Sequence, residues 1–301
     1  MRAIALHEDV LVVTSAVLRV NCLIVRGPAT DGRAAAAEGG EARASGEAAA
    51  SSEARGFLEA GISPDGAAVR LGETFVIDSP VLPDELEALP AILEQARFPP
   101  PSGLLATHGD WDHLLGRLAF PAAALGCAES TAARLQAAPG EPQRDLRTFD
   151  ERLMIERPRP LALGALQALP VPGICSLGDH ELELHETGGH TADGMAVLAP
   201  WASVLAAGDY LSPLELPMLS PGGGIEAYLA TLRRLRGLIA RAAHIVPGHG
   251  PVMDPARAGA VLEQDIGYLR SLGEAGAAAE LPDGRRGAAN RSLHAANVAA
   301  L

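Results

Sequence analysis

At 301 residues, 48% of them apolar, the chain can make one large domain or two small ones with a real core. Its net charge is −13 and all its basic residues are Arg, with no Lys anywhere. Such an acidic surface repels polyanions and disfavours a nucleic-acid substrate.

Taken in order, the amino-terminal MRAIALHEDV has an acidic pair where a secretory signal needs a continuous apolar stretch, which predicts a cytoplasmic protein. Residues 10–26 are rich in Val but interrupted by Arg19 and Asn21, so they predict strands and not a membrane span. From 28 to 61 the chain is nearly all Ala, Gly, Glu, Ser and Arg. That composition buries too little to offset its ordering entropy and predicts a flexible insertion, with a short Ala-rich helix as the alternative. Residues 72–78 predict a strand ending in Asp78. Pro83 opens a helix with Leu86, Leu89, Leu93 and Ala96 at helical spacing, and 103–106 has the length of a buried strand.

A helix is predicted over 130–137 with Ser130 as its cap, and the Pro-, Arg- and Asp-rich stretch 138–160 reads as a loop or lid. Strands resume near 161–169, 173–177 and 181–186. Two apolar runs, 195–198 and 203–207, flank Pro200-Trp201 as a hairpin. Helices over 225–240 and 255–272 bracket a last strand at 244–246, and the tail 274–301 has weak helical potential at its end. One domain over 1–273 is expected. Cys22, Cys127 and Cys175 lack CxxC spacing, so buried free thiols are expected instead of a disulfide or a thiolate metal site.

The densest chemistry is THGDWDH at 107–113, which places His108, Asp110, Asp112 and His113 directly after a buried strand. On a loop leaving a strand, His108 and Asp110 can point to one side and Asp112 and His113 to the other, which suggests two neighbouring metal positions. A merely solvated loop leaves the two imidazoles and two carboxylates unexplained. His190, Asp209 and His249 also stand at the ends of apolar strands beside Gly-containing turns, where a rigid scaffold can present ligands to one place. Imidazole with carboxylate suits zinc, iron or manganese.

The ordered set THGDWDH, GGHTADG at 188–194, AAGDYL at 206–211 and VPGHGPV at 246–252 resembles the metallo-β-lactamase-fold hydrolases over about residues 10–265. The resemblance implies an α/β fold, the αββα four-layer sandwich, with a dinuclear site along one edge of the sheets. By that resemblance one divalent ion is held by His108, Asp110 and His190 and the other by Asp112, His113 and His249. Asp209 bridges them, Asp112 and Asp209 carry the catalytic roles, and Asp78 is the acid that orients the ligand loop. The family usually has His where this chain has Asp110, although its flavodiiron branch also places a carboxylate there. Two divalent ions carry +4 and the three Asp carry −3, so a bridging hydroxide brings the cluster to zero, whereas a His at 110 leaves +1. A neutral cluster is the weaker Lewis acid. Zinc remains the first expectation, with iron or manganese made more competitive by Asp110.

His180 and His185 lie in DHELELHE, whose alternation places them on a solvated strand face, and His7, His244 and His294 lack ligand spacing. Trp111 suits either packing or the pocket wall. The apolar loop 210–219 leaving Asp209 is expected to line a substrate pocket through Tyr210, Leu214 and Met218. The leading expectation is a metal-bound hydroxide attacking an ester, thioester, lactone or phosphoester of a small molecule. The alternatives are a diiron redox protein served by a separate electron donor and a non-enzymatic binding module on a decayed hydrolase fold.

Overall fold

The computed structural model describes residues 1–28 and 72–301, with the backbone of 61–62 and 68–69. The first sheet is built from β1 (Arg2–His7), β2 (Val10–Thr14) and β3 (Asn21–Gly27), then, past a small pair formed by β4 (Gly61–Ile62) and β5 (Ala68–Val69), from β6 (Glu73–Ile77), β7 (Gly103–Ala106), β8 (Ala124–Ala128) and β9 (Leu166–Leu169). The second holds β10 (Gly173–Leu177), β11 (His180–Glu186), β12 (Met195–Ala199), β13 (Val204–Ala206) and β14 (His244–Val246), hydrogen-bonded in that order. Neighbours from β6 to β9 run parallel, as do β13 and β14, and the remaining pairs of the two sheets are antiparallel.

Period-two alternation divides the apolar residues between layers. Along β3, Leu23 and Val25 face the second sheet, meeting Leu182, Leu184, Val197 and Val204. Cys22 and Ile24 face the other way, toward Leu86, Leu89 and Leu93 of α1 (Pro83–Gln95). Over that same face lie α2 (Gly116–Ala119), α3 (Glu129–Ala137) and α4 (Glu141–Leu153), contributing Leu118, Leu135, Leu146 and Phe149. On the outer face of the second sheet, Ala196, Leu198 and Leu205 pack under α5 (Ile225–Ile239) and α6 (Pro255–Ala275). Helix, sheet, sheet and helix form the expected αββα sandwich, closed at one side by α7 (Ala288–Ala299).

Several expectations need correction. Residues 141–153 of the expected loop are helix α4: Pro142, Leu146 and Phe149 form a buried stripe, and the charged residues that suggest a loop occupy its solvent side. α3 begins at Glu129 after Ala128, so Ser130 is not its cap. β1 and β8 are absent from the sequence expectations, since β1 is a half-exposed edge strand and β8, ALGCA, is poor in β-branched residues and is extended because β7 and β9 flank it. Cys22 and Cys127 are buried free thiols, but Cys175 is only half-buried. The insertion expected over 28–61 lies outside the described residues, its first and last positions apart. No helix among the described residues is long and apolar enough to cross a membrane.

Candidate metal centre

The chemistry-bearing loops leave the carboxyl ends of β6, β7, β11, β13 and β14, which the strand directions bring to one edge of the two sheets. Asp78, just past β6, accepts from the Thr107 amide at 2.8 Å through one carboxylate oxygen and from the Thr107 hydroxyl at 2.9 Å through the other. The Thr107 carbonyl accepts from Met195 N at 2.7 Å, tying the loop to the second sheet. Beyond it the chain tightens into a 3₁₀ turn, Trp111–His113, which turns Asp112 and His113 away from Asp110. Trp111 packs against Phe149 with centroids 4.6 Å apart and ring planes tilted by 40°, so it fixes α4 to the loop.

From the second sheet, Gly189 takes a positive φ of 115°, and any Cβ there would collide with the Tyr228 backbone. This close approach presents His190, whose amide donates to Tyr210 Oη at 3.1 Å. Asp209 follows β13, with its carbonyl accepting from Tyr228 Oη at 3.0 Å. Gly248 is confined to glycine because a Cβ would strike Asp209 Oδ1. Asn21 of β3 holds the His249 turn, donating through Nδ2 to the Pro247 and Gly250 carbonyls at 2.8 Å each.

The seven side chains converge. Asp209 Oδ1 lies 3.1 Å from His113 Nε2, while its Oδ2 lies 3.3 Å from His249 Nε2, 3.4 Å from His190 Nε2 and 3.8 Å from His108 Nε2. Asp110 Oδ2 stands 3.5 Å from His108 Nε2 and 3.3 Å from His190 Nε2. On the other side, Asp112 Oδ2 stands 3.5 Å from His249 Nε2 and 3.9 Å from His113 Nε2. Within His108, Asp110 and His190, and again within Asp112, His113 and His249, the ligand atoms lie inside 4.8 Å of one another.

Every imidazole is turned the same way. Nδ1 of His190 lies 3.0 Å from the Met218 carbonyl, and Nδ1 of His249 lies 2.8 Å from that of Leu18. A carbonyl can only accept, so Nδ1 carries a proton, and Nε2 is the nitrogen that presents a lone pair once the ring is neutral. His113 Nδ1 faces Asp78 Oδ2 at 3.0 Å, and His108 Nδ1 faces the Thr107 hydroxyl at 3.1 Å, which itself donates to Asp78. Nε2 of His108, His113 and His190 and Oδ1 of Asp209 are buried without a hydrogen-bond partner. Four orphaned polar atoms aimed at one space are costly unless something there pairs with them. A pair of divalent cations fits, and the N/O donor set without thiolate suits zinc, iron or manganese.

In the metal-free chain, burial opposes charge on both kinds of group, but proximity wins. The Asp209, Asp78 and Asp112 carboxylates hold His113 well above the usual imidazole range, and Asp209 and Asp112 raise His249 to about 10. Asp209 is held well below the usual carboxylate range by His249, His113 and His108, and Asp110 likewise by His108 and His190.

The family model described as the metallo-beta-lactamase superfamily matches residues 72–249. The chain belongs to that superfamily. Solved structures similar to this superfamily member include a metallo-beta-lactamase from Pontibacter korlensis, with TM-score 0.54 and 16% identity over 87% of this chain and 98% of that one. A metallo-beta-lactamase family protein from Thermus thermophilus has TM-score 0.60 and 17% identity, covering 90% of this chain and 82% of that one. A search of curated proteins by sequence matched none.

One expected pocket residue of this metallo-beta-lactamase superfamily chain stands otherwise. Tyr210 is buried against Tyr228 and holds the His190 amide instead of lining the pocket, and Met218 reaches the site through its carbonyl. Half of the loop 210–219 is buried, and Leu214, 45% exposed, packs beside Gly250, next to His249. Four of the other five histidines pair elsewhere: His180 stacks on Trp201, His185 meets Glu183, His294 meets the Tyr268 hydroxyl, and His7 Nδ1 accepts from the Asp9 amide. Two functional residues escape the sequence reading. Asp193 accepts from Gly109 N at 2.9 Å and, through its other oxygen, from Arg134 at 3.0 Å, and Arg134 also meets Asp110 at 2.7 Å. Asp193 lies inside the GGHTADG motif, a signal that could have found it, but nothing in the local sequence marks Arg134.

Proposed function

We propose that this chain is a dinuclear metallohydrolase acting on an ester, thioester, lactone or phosphoester bond of a small molecule. The observation that carries the reading is the pair of ligand sets on either side of Asp209, with each imidazole Nε2 turned inward. Zinc is the first candidate, with iron or manganese made more competitive by the carboxylate at Asp110. When bound, the two ions supply Lewis acidity and lower the pKa of a coordinated water.

The chain's own groups do the rest. The Met218 and Leu18 carbonyls and the Thr107 hydroxyl keep the protons of His190, His249 and His108 on Nδ1, and Asp78 stands 3.0 Å from His113 Nδ1, so that no reorientation is needed when Nε2 is used. Asp209 addresses both sets with its two oxygens, which fixes their spacing. The imidazoles are nearly closed to bulk water, whereas the Asp110 side chain keeps 19% exposure, so a substrate approaches past the carboxylates. In this reading Asp112 and Asp209 are the carboxylates that carry the catalytic roles.

A panel of ester, thioester, lactone and phosphodiester substrates tests the reading on protein loaded with zinc, iron or manganese. Turnover of at least one class is expected, abolished by a chelator and restored by the metal. Protein holding two ions per chain yet inert toward every class with all three metals would overturn it.

A further inference from the structure

We infer that Arg134 is a positioning residue for the first ligand set, holding Asp110 so that a single carboxylate oxygen is offered to an ion; this rests on the dinuclear reading above. Arg134 lies in the last turn of α3, outside the ligand loops. Its Nη2 reaches Asp110 Oδ1 at 2.7 Å, which leaves Oδ2 to face His108 and His190. The same guanidinium sends Nη1 to Asp193 Oδ1 at 3.0 Å, and Asp193 Oδ2 accepts from the Gly109 amide at 2.9 Å. Gly109 joins His108 to Asp110. One planar fork therefore fixes both the carboxylate and the peptide carrying it, and it links the 107–113 loop to the loop that bears His190.

Charge points the same way. Arg134 sits among Asp110, Asp193 and, at 3.3 Å, Glu141 of α4. Beside an ion it withdraws negative charge from Asp110 Oδ1 and keeps the carboxylate from closing onto the metal with both oxygens. Its side chain is only 23% exposed, so this pairing is weakly screened compared with a surface bridge. A fork this rigid is not reproduced by Lys, a point charge that can satisfy one carboxylate at a time.

A double-mutant cycle separates this role from a structural ion pair. Stepwise cobalt(II) dissociation constants are measured by chelator competition on the full chain, with His249→Ala identifying which step belongs to the second set. Arg134→Met is expected to weaken the first-set step by roughly 10- to 100-fold and leave the second within about threefold, as outer partners of metal ligands do. Arg134→Lys should recover part of the loss. In an Asp110→Asn background, Arg134→Met should weaken the first-set step by a smaller factor, because only the Asp193–Gly109 part of its role remains. Equal weakening of both steps, or the same loss with and without the Asp110 carboxylate, would overturn the inference. If Arg134→Met fails to fold, the cycle is run with Arg134→Lys, which must then show a smaller loss in the Asp110→Asn background. A parent chain that binds no cobalt at either set would instead count against the dinuclear reading itself.

Discussion

Asp209 is the side chain on which the two ligand sets depend together, since its oxygens stand within 3.1–3.8 Å of all four imidazole Nε2 atoms. Replacing it with Ala removes the one carboxylate shared by all four imidazoles and leaves only Asp110, Asp112 and Asp78 beside them. Asp209→Ala is expected to reduce metal content below two ions per chain and to abolish hydrolysis. His185→Ala is the matched control: the ring is bonded to Glu183 at 3.0 Å on β11 and touches none of the seven ligands, so metal content and turnover should stay unchanged. Metal analysis of both variants checks this, and equal losses would show that the site is assigned to the wrong residues.

Between residue and whole molecule, the least expected device is the clamp formed by the C-terminal segment. Asn290 Oδ1 accepts from Leu216 N at 3.0 Å while its Nδ2 donates to the Leu214 carbonyl at 2.8 Å. Asn297 repeats the arrangement with Leu219 N at 2.9 Å and the Pro217 carbonyl at 2.7 Å. Arg285, 1% exposed, donates to the Ser212 and Glu215 carbonyls and to Asp265. The loop 212–219 thus obtains from side chains the backbone pairing that a neighbouring strand would supply, and Met218 within it orients His190. Asn297→Ala leaves a buried N–H and C=O unpaired, so unfolding free energy should fall by about 2–4 kcal/mol. Denaturant titration checks this, and a change below about 0.5 kcal/mol would mean that the loop holds itself.

The same element shows where the sequence was legible. Asn290 and Asn297 look like ordinary polar residues of a weak helix, because their partners lie more than 70 residues away in sequence. Asn21 is silent for the same reason, and Arg134 because Asp110 and Asp193 lie on other elements. By contrast, β7, the β12–β13 hairpin, α1, α5 and α6 announce themselves through apolar periodicity, and the ligand motifs lie at strand ends in an order that the fold brings to one edge. α4 is hidden because only Leu146 and Phe149 carry its apolar stripe past the first turn, and β8 because its Ala-rich sequence becomes a strand only between two others.

At the scale of the whole molecule, each ligand set joins two side chains from the loop after β7 of the first sheet to one histidine from the second, so cations at the centre cross-link the sandwich. The metal-free chain supplies its own cations instead, as imidazolium groups. His113, His190 and His249 have raised pKa values, His249 to about 10 from 6.5, so their contribution to stability is full below about pH 6.5 and is lost as pH rises toward about 10. A metal ion needs neutral Nε2 and displaces those protons, so its stabilising effect must grow over the same window. Thermal unfolding should show the metal-free midpoint falling between pH 6.5 and 10 while the gap to the metal-loaded protein widens; a constant gap would contradict the assignment. The central claim, two cation positions sharing Asp209, is tested most directly by anomalous scattering from crystals of the metal-loaded chain. Two peaks are expected, one among His108, Asp110 and His190 and one among Asp112, His113 and His249, with Asp209 touching both. A single peak, or peaks that Asp209 does not join, would contradict it.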